Sequence, residues 1–300
     1  MEGNPEKGYL SYFYGYLGMI IREVLEALIK FFTNKGLETP RVDAEWMMAA
    51  VLKKKRLDLF LHYEDVVSEK HLNTLREWAC RRGRREPLQY ILGNVDFYGQ
   101  NLKVDRRVLI PRPETEELIF QLQRYWQDTA YPKFCLDLGT GSGAIAITLA
   151  QLYPEMQLVA SDKSSEALAL AKENARLNHV DDRVSFYQSD WFQGIDGKTF
   201  DWIVSNPPYL TEKEWAEAQD EVRVFGPKQA LVAPENGLSD LKVILKDAFV
   251  HLTDGGGLVF ETGIAQHEIL HALAKDFGYK RSLSSCDLLQ RKRFFWAWKA

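Results

Sequence analysis

Cysteine is scarce in this chain, and its placement excludes two architectures. Cys80, Cys135 and Cys286 are odd in number and far apart, so they form neither a disulfide framework nor a metal-ligand spacing. Such usage fits a reducing compartment, and a cytoplasmic location is expected. Long apolar runs are missing too: no stretch is long enough to cross a bilayer, so no membrane partner is expected. An excess of positive charge is also lacking. The formal net charge is -4, which gives no overall basic field for holding phosphates and argues against a direct nucleic-acid substrate, though local basic patches stay open. No secretory leader is expected either, because only Lys7 accompanies Glu2 and Glu6 ahead of the aromatic stretch that begins at Tyr9, and no small-residue cleavage site is evident. Residues 1–18 therefore read as a flexible extension, or as sequence upstream of a start at Met19.

What is present is ordinary globular material, 46% hydrophobic and 27% charged over 300 residues, a length that suits two domains. The first spans residues 19–90 and is helical. Ile20, Ile21, Val24, Leu25, Leu28, Ile29 and Phe32 recur at three- and four-residue spacing and share one helix face. A second helix starts where Thr39 can accept from a free amide, Pro40 loses nothing by lacking an N–H, and Asp43 and Glu45 complement the positive end. Leu72, Leu75 and Trp78 mark another helix, over residues 68–82. Two basic clusters occur here: Lys53-Lys54-Lys55-Arg56, and Arg81, Arg82, Arg84 and Arg85. Solvated helix ends explain them most simply, with docking on an acidic partner or RNA as the alternative.

Residues 91–113 read as a β-hairpin linker. Val95, Phe97 and Tyr98 form one strand, Leu102, Val104, Val108, Leu109 and Ile110 the other, and Gly99-Gln100-Asn101 the turn. The third segment, residues 114–300, opens with a helix and after Pro132 alternates strands and helices. Strands are expected at 134–138, 158–161, 184–187, 200–205, 258–261 and 294–298, and helices at 144–152, 165–178, 238–252 and 266–277. Such alternation implies an α/β fold, a mostly parallel sheet with helices on both faces.

The first strand runs into Gly139-Thr140-Gly141-Ser142-Gly143 and then an Ala- and Ile-rich helix. Glycines at alternate positions allow a tight turn that a ligand can approach closely. In doubly wound sheets ligands bind at strand carboxyl ends, so this turn lies in the crevice. Asp162 ends the next strand, at a spacing suited to accepting bonds from ribose hydroxyls. A dinucleotide fingerprint would place its third glycine one residue later, where Ala144 stands. The pattern Asp137-x-Gly139-x-Gly141-x-Gly143 instead resembles motif I of the Rossmann-like methyltransferases, which bind S-adenosyl-L-methionine. By that resemblance Asp190 faces the adenine amino group and Trp191 the ring, core packing being the plain alternative for Trp191.

Asn206-Pro207-Pro208-Tyr209 follows the strand at 200–205. Consecutive prolines remove two donors and stiffen the loop, so its carbonyl acceptors are fixed. The Asn206 side chain and the Pro207 carbonyl can both accept from one –NH₂ group, and Tyr209 offers a flat face for stacking. Adenine, cytosine and guanine amino groups and glutamine amides all fit this description.

Further motifs narrow the choice. Arg85-Glu86-Pro87-Leu88-Gln89-Tyr90-Ile91-Leu92-Gly93, Phe97-Tyr98-Gly99, Leu109-Ile110-Pro111-Arg112-Pro113-Glu114-Thr115-Glu116 and Ser189-Asp190-Trp191 join the glycine turn and the Asn-Pro-Pro-Tyr loop. Together they resemble the peptide chain release factor glutamine methyltransferases (the PrmC/HemK family). The resemblance runs from Met19 to the C-terminus. It implies a class I methyltransferase sheet behind a helical substrate-docking domain, with S-adenosyl-L-methionine as cofactor. The implied substrate is the glutamine of the release factors' Gly-Gly-Gln loop, methylated at N5. Gly139, Thr140, Gly141, Ser142, Gly143, Asp162, Asp190, Trp191 and Asn206 would hold the cofactor. Asn206, Pro207, Pro208 and Tyr209 would hold the glutamine, with Asn206, Pro207 and Tyr209 as the catalytic set, and Phe97 and Glu114 to Glu116 would line the pocket.

Three rival readings remain. An amino-methyltransferase acting on DNA or RNA, such as an N6-adenine enzyme, would need a recognition domain and a basic channel. His267-Glu268-Ile269-Leu270-His271 matches a zinc-protease pattern, but only Asp276 and Asp287 follow as third ligands, so no metal is expected. A non-enzymatic cofactor-binding scaffold is the third.

Overall fold

The computed structural model describes residues 18–129 and 131–300, so the extension read at 1–18 lies, but for Gly18, outside the described residues. The chain forms two compact units that divide between Leu92 and Gly93.

The first unit packs α1 (Ile21–Asn34), α2 (Pro40–Leu52), α3 (Glu69–Gly83) and the short α4 (Leu88–Leu92). The apolar face of α1 delivers Val24, Leu25, Leu28 and Phe32 to a core shared with Met47, Met48, Leu72 and Leu75. The second helix starts differently from expectation. Thr39 makes no side-chain cap; its hydroxyl donates to Asp43 Oδ1 at 3.0 Å. Asp43 is buried, and its other oxygen accepts from Arg82 Nε at 2.7 Å. Of the arginine cluster Arg82 is buried, Arg81 and Arg85 are half-buried and Arg84 is exposed. Arg81 makes two bonds of 2.9 Å to Glu86, and Arg85 donates to the carbonyls of Lys35 and Gly36 at 3.3 and 2.8 Å. A guanidinium taken out of water requires such acceptors, so charge that reads as a solvated helix end here joins helices together.

In the second unit the hairpin pairs β1 (Asn94–Phe97) with β2 (Gln100–Lys103), and its turn falls on Tyr98-Gly99. Both turn residues are left-handed, at φ 53° and 76°, as the tight turn joining twisted strands demands. The Tyr98 amide is held there by Glu116 Oε1 at 2.6 Å. The turn therefore sits one residue earlier than expected, and Val108, Leu109 and Ile110 are not strand.

After α5 (Pro113–Gln127) come β3 (Phe134–Leu138), α6 (Ala144–Leu152), β4 (Gln157–Asp162), α7 (Ser165–Leu177), β5 (Val184–Gln188) and β6 (Phe200–Ser205). Beyond the short α8 (Glu212–Glu217) and α9 (Asp220–Arg223) lie α10 (Ser239–His251), β7 (Leu252–Glu261), α11 (His267–Asp276), β8 (Arg281–Cys286) and β9 (Lys292–Trp298). The seven strands stand in the order β5-β4-β3-β6-β7-β9-β8. Strands β3 to β7 pair in parallel and β9 runs against both its neighbours. Alternating residues feed two cores: Cys135 joins Ile147, Leu149 and Trp202, while Leu136 and Leu138 join Ile203, Leu241 and Phe260. The chain steps outward from β3 to β5 and then crosses back to β6, so strand order reverses at β3/β6, where an α/β sheet opens a crevice.

Breaking a buried ion pair by removing one partner leaves an uncompensated charge. Arg82→Ala should therefore lose about 3–5 kcal/mol of stability, read as a lower urea midpoint for unfolding of the first unit.

Candidate active site at the carboxyl ends of the strands

A cavity of about 810 Å³ opens at this reversal, a size typical of cofactor sites. Gly139, Thr140, Gly141 and Ser142 after β3, Asp162 at the end of β4, Asp190 and Trp191 after β5, and Asn206, Pro207 and Pro208 after β6 all line it. Each stands where a parallel strand ends, which is why residues so far apart in sequence meet.

The glycine turn is built from within. Gly139, Gly141 and Gly143 have φ of 75°, 54° and 86°, and the Gly139 and Thr140 amides both donate to Ser161 O at 2.8 Å. The Thr140 hydroxyl turns inward to Asp137 Oδ2 at 2.5 Å, and the Ser142 carbonyl accepts from Asn174 at 2.9 Å. Asp137 also takes the Ala146 amide at 3.0 Å, tying the strand to the first turn of α6. Complete burial pushes the Asp137 carboxyl up to about 7, against the pull of these two donors. Gly143 is not on the cavity wall, contrary to expectation. It lets α6 close on α7, since a Cβ there would meet Ile147 Cδ1 at 2.9 Å and Ala171 Cβ at 3.3 Å.

Asp162 accepts the Gly141 and Ser164 amides, each at 2.9 Å, and burial raises its carboxyl above the usual range. Asp190 is bonded to Lys163 Nζ at 2.7 Å. The Trp191 ring lies against Gly139, and its Nε1 donates to Asp240 Oδ1 at 3.1 Å, linking β5 to α10.

The loop after β6 departs from expectation at one residue. Tyr209 is buried, and its hydroxyl donates to Glu261 Oε1 at 2.6 Å. Its ring belongs to the core and is not among the residues lining the cavity, so it presents no flat face there. A buried phenol needs an acceptor, and Glu261 at the end of β7 provides one. Asn206 faces the cavity, with Nδ2 donating to Thr115 Oγ1 at 2.9 Å. Of Phe97 and Glu114 to Glu116, expected to line the pocket, Thr115 alone does so. Glu114 pairs with Arg291, Glu116 holds the Tyr98 amide, and Phe97 is core.

The loop rests on a strained turn. Glu235, Asn236 and Gly237 are all left-handed, at φ 54°, 57° and 78°. Gln266 Nε2 bridges Tyr209 O and Asn236 O at 2.9 and 3.2 Å, and a Cβ on Gly237 would fall 2.0 Å from Tyr209 O. Glu261, Asp240, Gln266 and Gly237 did not emerge from the sequence as site residues. Only Glu261 carries a signal, a lone carboxylate closing an apolar strand.

The paired histidines on α11 bond to hydroxyls of β8. His267 Nδ1 lies 2.8 Å from Ser284, and His271 lies 2.7 and 2.8 Å from Ser282 and Ser284. Burial lowers His267 to about 4, which keeps its ring neutral. Among the described residues no group of three or more His, Cys, Asp or Glu could hold a metal.

Comparison with known proteins places these features. Residues 23–93 match the PrmC N-terminal domain, and residues 120–225 match the methyltransferase small domain. A release factor glutamine methyltransferase of Rhodopirellula baltica is 37% identical over 286 residues, covering 93% of this chain and 96% of the relative. One from Chlorobaculum tepidum is 43% identical over 248 residues, covering 80% and 84%. Among solved structures, the hMettl16 catalytic domain in complex with a MAT2A 3'UTR hairpin superposes with a TM-score of 0.55 at 17% identity over 74% of this chain and 80% of that one. A Pyrococcus furiosus methyltransferase gives 0.50 at 17% identity, over 68% and 90%. At that identity they share the fold alone.

Asp137 generates a pH prediction. Its folded pKa lies above the ordinary 3.8, so native protein holds more protons than unfolded chain between about pH 4 and 7. Stability contributed here is greatest in acid and declines as pH rises through that window. Asp137→Asn removes the decline, so the stability difference between variant and native, from urea titrations, should grow in the variant's favour by up to about 1.4 kcal/mol per pH unit.

Proposed function

The chain belongs to the release factor glutamine methyltransferases, and from that membership we propose that it methylates the N5 amide nitrogen of the glutamine in the Gly-Gly-Gln motif of peptide chain release factors. S-adenosyl-L-methionine is the methyl donor, and the reaction supports translation termination.

The observation that carries this reading is the meeting of two walls in one cavity. One wall fits the cofactor: open glycine backbone at Gly139 and Gly141, the Asp162 carboxylate and the Trp191 ring. Asp162, Asp190 and Asp240 line it against Lys163 and Arg107, and Arg107 is engaged by Asp105 at 2.7 Å. That balance suits a cationic ligand. Bound there, the cofactor supplies an electrophilic methyl carbon.

The other wall fits an amide. A glutamine nitrogen is a poor nucleophile because its lone pair is delocalised into the carbonyl. Asn206 Oδ1 and the Pro207 carbonyl accept its two hydrogens and draw them out of the amide plane, which frees the lone pair for in-line attack. Among the described residues no backbone donor bonds to the Pro207 carbonyl, so it is available. Positioning is the main contribution, since a well-oriented pair needs little further activation. The surplus proton on the methylated nitrogen passes to water.

Tyr209 acts behind the loop, fixing its backbone through Glu261. The first unit serves as the docking module for the release factor. Leu57 and Leu61 are 74% and 83% exposed there, and Trp46 and Phe60 are also exposed, the kind of apolar surface that a partner covers. The reaction belongs in the cytoplasm, in keeping with Cys80, Cys135 and Cys286, which form no disulfide. Among the described residues no helix is long and apolar enough to cross a membrane.

Incubating a release factor with this protein and S-adenosyl-L-methionine should add the mass of one methylene at the Gly-Gly-Gln glutamine, located by peptide mass spectrometry. Asn206→Ala should lower the rate by about 10²–10³ or more, as when a preorganised hydrogen-bonding group is lost. Methyl transfer to DNA or RNA alone, with none to the factor, would overturn the proposal.

A further inference from the structure

We infer that Thr115 and Glu261 are positioning residues that fix which way round the Asn206 amide sits, an inference that rests on the function proposed above. It follows from counting hydrogens along a short chain of bonds. Glu261 has no exposed surface and ends β7. Held ionised by a hydroxyl donor on each of its oxygens and by the nearby charge of Arg112, it can only accept. Its Oε1 accepts from the Tyr209 hydroxyl at 2.6 Å and its Oε2 from the Thr115 hydroxyl at 3.0 Å. Thr115 has one hydroxyl hydrogen, and Glu261 takes it. Toward Asn206, 2.9 Å away, Thr115 is therefore an acceptor only, and the atom facing it must be the –NH₂ group.

The Asn206 carbonyl oxygen is consequently turned to the cavity. A half-turn of the amide would set two acceptors against each other at Thr115. It would also present –NH₂ to a substrate –NH₂, donor against donor. Such an amide has two nearly isosteric orientations, and only its partners decide between them. Burial raises the Glu261 carboxyl, while the bonds from Tyr209 and Thr115 and the charge of Arg112 pull the other way. Thr115 lies at the start of α5 and Glu261 at the end of β7, 146 residues apart, so the relay joins segments distant in sequence behind the cavity wall.

Three variants test it, each checked by thermal melting. Thr115→Val removes the hydroxyl at nearly constant volume, and Thr115→Ser keeps it. Glu261→Gln puts an –NH₂ where an acceptor stood. Facing Thr115, that group would force the hydroxyl to donate to Asn206 and turn the amide round. Facing Tyr209, it would strand the phenol hydrogen. Single-turnover transfer to a release factor should fall by about 10²-fold in Thr115→Val and in Glu261→Gln. It should stay within a few-fold of native in Thr115→Ser, and the Kd for S-adenosyl-L-methionine should move less than the rate in all three. Three results would overturn the inference while native protein remains active: native-like transfer by Thr115→Val, equal loss in Thr115→Ser, or a loss confined to cofactor affinity. Should Thr115→Val fail to fold, Glu261→Gln decides alone, and full activity in it would be fatal. A native protein inactive on the factor would remove the proposed function and the inference with it.

Discussion

A carboxylate sealed from water at the tip of β7 governs the geometry of the crevice. Ionised groups resist leaving water, and the cost is several kcal/mol unless donors surround them. Glu261 obtains its donors from two separate pieces of chain, Thr115 on α5 and Tyr209 in the loop after β6. Meeting the demands of that one charge draws helix, loop and sheet into a single register. The strands themselves could tolerate small shifts; a buried carboxylate bonded at both oxygens tolerates fewer.

In β3, Asp137 does comparable work by a different means. It is also wholly buried, but its partners are local, the Thr140 hydroxyl and the Ala146 amide. It holds a turn in shape and leaves distant segments alone. Asn174 supplies the longer reach. Its side-chain amide exchanges bonds with the Lys103 backbone in the manner of a strand neighbour, and it also holds the Ser142 carbonyl. Hairpin, helix and glycine turn are thereby joined through one uncharged side chain.

Much of this was legible beforehand because strand carboxyl ends are easily read. An apolar run that stops at Gly139, Asp162 or Asn206 announces both a strand and the crevice it faces. Edge structure was less visible. β8, Arg-Ser-Leu-Ser-Ser-Cys, is an edge strand with little buried surface and so lacks a strong apolar alternation. The turn at Tyr98 was missed because a tyrosine seldom adopts positive φ, and the bond that holds it there comes from Glu116, eighteen residues on. Tyr209 was misplaced for a related reason. Whether an aromatic ring faces ligand or core depends on what lies behind it, and Glu261 is 52 residues away. Arg82 follows the same rule, its partner being Asp43, 39 residues earlier.

The left-handed run beneath the active loop has a bearing on how demanding this pocket is to encode. Many proteins share the sheet, and a proline-stiffened loop after its fourth strand can be assembled without special backbone. A stretch that turns the wrong way for L-residues three times in succession, capped by a glycine whose neighbour is a carbonyl oxygen, is far harder to arrive at by chance. Pro-Glu-Asn-Gly followed by a helix, with a glutamine soon after the next strand, is thus what the chain must spell out to seat the loop above it.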